Sequence, residues 1–83
     1  MNVTDIRIKK IDDKNRLKAI VAITIDDCFV IHELRIIEGD EGLFVAMPSR
    51  KLPNGTFRDV AHPINSETRE ELEKLIIDEY NKM

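Results

Sequence analysis

The fold of this chain is decided by residues 16–26, Arg-Leu-Lys-Ala-Ile-Val-Ala-Ile-Thr-Ile-Asp. Alternate positions of this stretch are all aliphatic: Leu17, Ala19, Val21, Ile23 and Ile25. The positions between them are partly apolar as well, and β-branched residues of this kind favour a strand over a helix. The stretch therefore predicts a strand at the centre of a sheet.

A second strand is expected at residues 3–11, just before the first. Ile6 and Ile8 fall on one face there and charged side chains fall on the other, which is the pattern of a half-buried strand. The polar residues 12–15 separate the two runs. A break this short predicts an antiparallel hairpin.

A third strand is expected at residues 29–37, although its alternation is imperfect. The apolar residues Ile31 and Ile37 share a face with the charged residue Glu33. The strand is therefore either covered on both faces or contains a β-bulge. The apolar residues 43–47 predict a short strand buried on both sides, which ends at Pro48 because proline has no amide hydrogen to donate.

A tight turn is predicted at Pro53-Asn54-Gly55, since asparagine and glycine tolerate the positive φ angles of hairpin turns. Residues 56–61 are the expected return strand. A helix is expected to begin at Asn65 or Ser66, both good N-cap residues.

The helix carries its apolar residues on one stripe, which is expected to face the sheet: Leu72, Leu75, Ile76 and Tyr80. Glu70 and Lys74 are four residues apart and predict an ion pair on the outer side. Together these segments predict a single α+β domain over residues 1–83. It has an antiparallel β-sheet of about five strands in meander order and one C-terminal helix.

The chain is short for a domain, at 83 residues, and has no Trp and one Cys. A domain of this size has a thin core, here an aliphatic one, and gains stability from disulfides, metals or oligomerisation. Because Cys28 stands alone, an internal disulfide is excluded, and a homodimer is expected. No run approaches the ~20 apolar residues of a membrane helix, and a lone cysteine suits a reducing compartment. A cytoplasmic protein with no membrane contact is therefore expected.

Nothing in the sequence predicts catalysis or a cofactor. Cys28 and His32 are four residues apart, which on a strand separates them by about 13 Å. A zinc site at Cys28, His32 and His62 lacks a fourth ligand, and no glycine loop is followed by Lys-Ser/Thr as phosphate cradles require. The expectation is a protein that is not an enzyme and holds no metal.

Basic residues are clustered in spite of the net charge of −3. Arg50 and Lys51 precede the predicted turn and Arg58 follows it, so the three predict a phosphate-binding loop. Arg69 is expected near this loop at the start of the helix. The other interpretation is an ordinary solvated surface.

Further residues are expected around this loop. The cations Arg7, Lys9 and Lys18 extend the basic surface if their strands pair. The polar residues expected to reach base edges are Ser49, Asn54 and Asn65. Phe57 is interpreted as a core residue in preference to a platform for stacking bases.

The same segments resemble a known family. They are Gly-Leu-Phe-Val-Ala-Met-Pro-Ser at residues 42–49 with Arg-Lys after it, Phe-Arg-Asp at 57–59, Ala-His-Pro-Ile-Asn at 61–65 and Thr-Arg at 68–69. With Val-Thr-Asp-Ile-Arg at 3–7 and Phe-Val-Ile-His at 29–32, they resemble the SpoVG family, stage V sporulation protein G. The resemblance covers essentially the whole chain.

The resemblance implies a small bacterial cytoplasmic regulator linked to septation, sporulation and control of gene expression. Family members are described as dimeric, site-selective DNA-binding proteins, and RNA binding is attributed to some. The positions that match the family's proposed nucleic-acid contacts are Arg50, Lys51, Arg58 and Arg69. The helix after Arg69 is strongly acidic here, a departure that favours contact at the helix start only. The alternative is a module that binds septation proteins of the cell-division machinery and no nucleic acid.

Overall fold

Six strands precede one helix in the computed structural model, which describes residues 2–11 and 15–83. The elements are β1 (Val3–Lys10), β2 (Leu17–Ile25), β3 (Phe29–Gly39), β4 (Gly42–Ala46), β5 (Ser49–Lys51), β6 (Phe57–Asp59) and α1 (Ser66–Asn81). Strands β1 to β4 form one antiparallel sheet in sequence order. The predicted α+β class, the meander and the C-terminal helix are confirmed.

The last two strands do not join that sheet. Strands β5 and β6 pair only with each other, as a two-stranded ribbon. Pro48 lies between β4 and β5 and has no amide hydrogen, which interrupts the ladder there. The predicted sheet of about five strands is therefore a sheet of four strands and a separate ribbon. The predicted return strand at 56–61 is shorter than expected and covers only Phe57–Asp59. Most of the predicted break at 12–15 lies outside the described residues.

The core lies between one face of the sheet and α1. Its buried side chains are aliphatic apart from one methionine: Ala19, Val21, Ile23, Leu34, Ile36, Val45, Met47, Leu72 and Ile76. Burial of one Ile or Leu contributes roughly 1.5–3 kcal/mol. Ile6 and Ile8 of β1 pack against this cluster, as the alternation in β1 predicts.

A β-bulge explains the imperfect alternation in β3. Val21 pairs with Leu34 and Ile23 pairs with Ile31, so two residues of β3 stand opposite one residue of β2. Glu33, inside the bulge, has φ 66°. The extra residue shifts the alternation by one, so Ile31 and Leu34 both face the core despite their odd spacing. Of the two interpretations offered by the sequence, the bulge is confirmed.

Two predictions of burial are wrong. Val45 of β4 is buried, but its neighbour Phe44 is 42% exposed. Strand β4 is at the edge of the sheet, and α1 covers only one of its faces. Phe57, interpreted as a core residue, is 71% exposed because the ribbon that carries it does not reach the core.

Helix α1 begins after Asn65, whose side-chain oxygen accepts a hydrogen bond from the amide of Thr68 at 2.7 Å. Asn65 is therefore the N-cap, one of the two residues predicted for it. The predicted apolar stripe is only partly correct. Leu72 and Ile76 are buried and Tyr80 is half-buried, but Leu75 is 46% exposed. The buried positions follow a spacing of four residues, which moves Leu75 to the flank.

The outer side of α1 is charged. Lys82, the residue just after the helix, forms an ion pair with Glu79 at 3.5 Å. The predicted pair of Glu70 with Lys74 does not form within 4.0 Å. In the described part of the chain, no helix combines the length and apolar character needed to cross a bilayer.

Candidate nucleic-acid interface

The β5–β6 ribbon is closed by the predicted turn. Leu52 donates its amide to the Thr56 carbonyl at 2.7 Å, and Gly55 donates to the Leu52 carbonyl at 2.9 Å. Gly55 has φ 88°, a conformation that is unfavourable for residues with a side chain. Pro53 stands where its fixed φ starts the turn. The predicted hairpin tip is confirmed.

Asn54 fastens the tip. Its side-chain oxygen accepts hydrogen bonds from the Thr56 amide at 3.1 Å and from the Thr56 hydroxyl at 2.7 Å. These bonds replace backbone partners within the turn, as asparagine side chains commonly do. The ribbon therefore holds its flanking residues in one register.

That register places two arginines directly opposite each other. Arg50 pairs with Arg58 across the ribbon. The hydrogen bonds at Leu52–Thr56 and Val60–Pro48 show that Arg50 and Arg58 form a hydrogen-bonded pair, whose Cα atoms are about 5.5 Å apart. Both side chains are exposed and lie on the same face. Like charges in this arrangement are destabilising unless an anion lies between them.

Lys51 lies on the other face of the ribbon. It pairs with Phe57, and Ser49 pairs with Asp59 on that same face. The three ribbon cations predicted to form one cluster are therefore divided: Arg50 and Arg58 are on one face, and Lys51 is on the other. Neighbouring residues of a strand point to opposite faces, which separates Arg50 from Lys51, and the register adds that Arg58 lies on the face of Arg50.

Arg69 approaches the ribbon from the first turns of α1. It lines a hollow of about 470 Å³ together with Phe44, Phe57, Asp59 and Arg35. The hollow adjoins the face of the ribbon that carries Lys51 and Phe57. The prediction that Arg69 lies close to the loop is confirmed through this hollow, on the side away from Arg50 and Arg58.

None of the predicted contact residues is neutralised within the described residues. No carboxylate in this part of the chain lies within 4.0 Å of the charged groups of these four residues: Arg50, Lys51, Arg58 and Arg69. Arg35, a half-buried residue of β3, donates to the Ser49 hydroxyl at 3.3 Å and also has no carboxylate partner. The ribbon and its surroundings thus present five cations whose charge is free to attract an anion.

The predicted extension of this surface along β1 and β2 is largely neutralised. Arg7 binds Asp5 at 3.0 Å, and Lys18 binds Glu38 at 3.4 Å. Lys9 is exposed and has no ion pair among the described residues. Only Lys9 of the three therefore adds a free charge to the sheet.

Two residues of this region were missed in the sequence. Arg35 lies between two aliphatic residues of β3, Leu34 and Ile36, and Phe44 lies in an apolar run that predicted burial. The shift at the bulge puts Arg35 on the uncovered face of the sheet, where it lines the hollow with Phe44. A single arginine among aliphatic residues was the only signal available.

The residues considered for catalysis lie apart from this surface. Cys28 is exposed in the β2–β3 turn. The Nδ1 atom of His62 is 2.8 Å from the Pro63 carbonyl oxygen. Over residues 2–11 and 15–83, no three His, Cys, Asp or Glu side chains are placed to hold a metal ion.

Comparisons with known proteins agree with the motifs. The family model described as SpoVG matches residues 1–82. A Clostridium perfringens protein named "Putative septation protein SpoVG" is 57% identical over 83 residues, covering 100% of this chain and 92% of the relative. The protein of the same name from Caldicellulosiruptor bescii is 59% identical over 80 residues, covering 96% and 91%. The one from Clostridium novyi is 56% identical over 80 residues, covering 96% and 80%. These names describe septation proteins and not enzymes, and the chain belongs to the SpoVG family.

Proposed function

We propose that this chain is a nucleic-acid-binding regulator linked to septation, and that it acts as a homodimer in the cytoplasm. The observation that carries the proposal is that Arg50 and Arg58 lie opposite each other on one face of the β5–β6 ribbon, and neither has a carboxylate partner among the described residues. Two arginines directly opposite each other without a counter-charge are unfavourable in the free protein and favourable beside a phosphate. The link to septation is supported by the names of the relatives.

The proposed contacts act mainly through phosphate. Arg50 and Arg58 offer planar donors that match phosphate oxygens, while Lys51 and Arg69 add charge on the other side. Each phosphate neutralised releases counterions from the nucleic acid, so affinity falls steeply with salt. The remainder of α1 is acidic, which restricts contact to its start.

Site selectivity requires groups that reach base edges. Some of the candidate groups are already engaged in hydrogen bonds within the protein. The side-chain oxygens of Asn54 and Asn65 are engaged with Thr56 and Thr68. Their amide nitrogens remain as donors. The Ser49 hydroxyl accepts from Arg35 and can still donate. These groups are suited to acceptors on base edges.

The homodimer is supported by the exposed apolar surface. Val60 is 65% exposed and Ile64 91%. A second subunit can bury exposed apolar side chains of this size and so add to the thin core of a small domain. Sedimentation equilibrium at micromolar concentration is expected to give the mass of two chains. A monomer under these conditions would contradict this part of the proposal.

The binding proposal is tested by fluorescence anisotropy with labelled duplex DNA and single-stranded RNA pools at two salt concentrations. The expected result is salt-sensitive binding that is lost in the Arg50→Glu, Lys51→Glu variant. A matched control is Arg16→Glu, Lys74→Glu, which makes the same change in net charge at exposed residues away from the ribbon. Equal loss in both variants, or no binding at low salt, would refute the role of the ribbon.

A second candidate function is a module that binds septation proteins without nucleic acid. Strand β1 is an open edge of the sheet. Because Ile11 donates to the Lys18 carbonyl, the alternate residues Ile6, Ile8 and Lys10 turn their backbone groups away from β2. An extended segment of a partner can pair with such an edge. In cells lacking their own copy, the Arg50→Glu, Lys51→Glu variant would restore septation under this alternative and fail under the first.

A further inference from the structure

The hollow beside the ribbon is large enough for a small ligand and is lined by aromatic and charged side chains. Its volume of about 470 Å³ lies within the range of small-molecule sites. It is lined on the ribbon side by Phe57 and Asp59, on the sheet side by Phe44 and Arg35, and on the helix side by Arg69. The sheet, the ribbon and the helix thus converge on one space.

Two aromatic rings are left exposed here. Phe57 is 71% exposed and Phe44 is 42% exposed. Phe57 also lines a neighbouring hollow of about 300 Å³ with Ile20 and Arg35, so its side chain borders open space on two sides. Exposed phenylalanines beside cations are the side chains on which unpaired bases stack.

The polar groups of the hollow match the edge of a base. Arg35 and Arg69 supply donors, and Asp59 supplies an acceptor, yet no two of these groups lie within 4.0 Å as an ion pair. Base edges present donors and acceptors side by side. Arg35 keeps further donors beside its bond to Ser49, so donors and an acceptor in one hollow can bind a base that is not engaged in pairing.

The surrounding charge favours a nucleic acid over an apolar partner. Lys51 stands opposite Phe57 on the ribbon, and Arg50 and Arg58 lie on its other face. A strand that lies on the Lys51 face can place a phosphate on Lys51 and a base in the hollow, and the same strand reaches Arg50 and Arg58 only if it continues around the ribbon. By contrast, the apolar cavity of about 120 Å³ between sheet and helix, lined by Ile23, Met47 and Leu72, is smaller and lacks such charge.

We propose that the hollow formed by Phe44, Phe57, Arg35, Arg69 and Asp59 binds an unpaired nucleobase, so that the ligand of the ribbon is a single strand. This inference rests on the proposed function. The bases of an intact duplex are stacked inside the helix and cannot reach Phe57 without being flipped out. The chemistry is shared by single-stranded RNA and single-stranded DNA.

The test uses oligonucleotides that carry 2-aminopurine, a base whose fluorescence is quenched on stacking. The chain contains no Trp, so the protein adds little background. Three probes of one sequence are compared: single-stranded RNA, single-stranded DNA and duplex DNA. The variant is Phe57→Leu, and the matched control is Phe29→Leu, which removes another exposed phenylalanine from the far end of β3.

We expect the wild-type protein to quench single-stranded probes, and Phe57→Leu to lose the quenching and bind them about tenfold more weakly. Its salt dependence should stay unchanged because the cations remain. Phe29→Leu should behave as the wild type, and duplex binding should not depend on Phe57. The RNA and DNA arms then show which single strand is preferred.

Other outcomes refute the inference without ambiguity. If Phe57→Leu binds single strands normally while Arg50→Glu, Lys51→Glu does not bind, the hollow is not a base site and the proposed function stands. If Phe57→Leu converts a dimer to a monomer in sedimentation, Phe57 is a subunit contact. If the wild-type protein binds none of the three probes at low salt, the proposed function fails together with the inference.

Discussion

The two basic regions of the molecule, the β1–β2 side of the sheet and the β5–β6 ribbon, are alike in sequence and different in structure. On the first, Arg7, Arg16 and Lys18 each have a carboxylate within 3.0 to 3.4 Å. On the ribbon, the structure shows no such partner for Arg50, Lys51 or Arg58. The partners of Arg16 and Lys18 are Asp40 and Glu38, which are distant in sequence. The availability of a cation for binding therefore depends on the acids that the fold brings to it.

The difference between the regions is one of degree. The ion pairs on the β1–β2 side are exposed, and such pairs contribute only about 0–1 kcal/mol each. A phosphate can compete for these cations, but it must displace a carboxylate first. The ribbon carries no such cost, and its opposed arginines add a repulsion that a bound phosphate relieves. Variants in the two regions should therefore change the affinity for nucleic acid by different amounts. In one case they should also differ in whether they stabilise the fold.

The largest effect is expected from reversing charge in each region in turn. Arg50→Glu with Arg58→Glu should weaken binding of labelled nucleic acid roughly 100-fold, since two phosphate contacts are replaced by repulsion. The slope of affinity against salt should fall by about two. Arg7→Glu with Arg16→Glu should change affinity by less than about threefold, because these charges are already neutralised. Equal losses by anisotropy would remove the distinction between the regions.

The next effect concerns the turn that sets the ribbon's register. Gly55→Ala places a side chain at φ 88°, which costs about 1–2 kcal/mol. The Leu52 amide, bonded to Thr56, should exchange with solvent about 5–30 times faster, while the Ile11 amide on the β1–β2 side stays unchanged. Gly55→Asn, which tolerates this conformation better, is the control. Uniform acceleration at both amides would mean that the ribbon is not an independent unit.

A smaller effect is expected from releasing the cations of the β1–β2 side. Asp5→Asn with Glu38→Gln removes the partners of Arg7 and Lys18. Nonspecific binding at low salt should tighten about three- to fivefold, and the gain should vanish at high salt as charges are screened. Unchanged anisotropy would show that ion pairing is not the reason why this region binds nucleic acid weakly.

The smallest expected effect is on the free energy of unfolding, which should rise for a variant in the ribbon and should not rise for a variant on the β1–β2 side. Arg50→Gln removes a like-charge pair and should stabilise the fold by about 0.2–1 kcal/mol in urea at low ionic strength. Arg7→Gln removes an attractive pair and should not stabilise it. Added salt should abolish the gain at Arg50. A loss of stability in Arg50→Gln would contradict the description of this pair as repulsive.

Much of the fold follows from local patterns. The alternation in β1 and β2, the Pro53-Asn54-Gly55 turn and the Asn65 cap depend on residues close in sequence, and each was predicted correctly. The motifs at 42–49 and 57–65 also identified the family that the comparisons show. Of the predicted site, Arg69 could be placed beside the loop because the connection from β6 to α1 is short.

Other features depend on what covers each element. The continuous apolar run at residues 43–47 could not show that β4 is an edge strand with one free face, so Phe44 was expected to be buried. Leu75 has helical spacing but lies on the flank of α1, since the side of the helix that meets the sheet is set by packing. The position of Arg35 depends on where the bulge in β3 falls.

Local spacing and short motifs encode the class of fold, the order of its elements, the hairpin tip and the family. Packing and strand register decide which cations are neutralised, that Arg58 lies on the face of Arg50, and that Phe44 and Phe57 border one hollow. These are properties of register and of contacts between distant residues. No pattern along the chain specifies them, because one added residue in a strand exchanges its two faces.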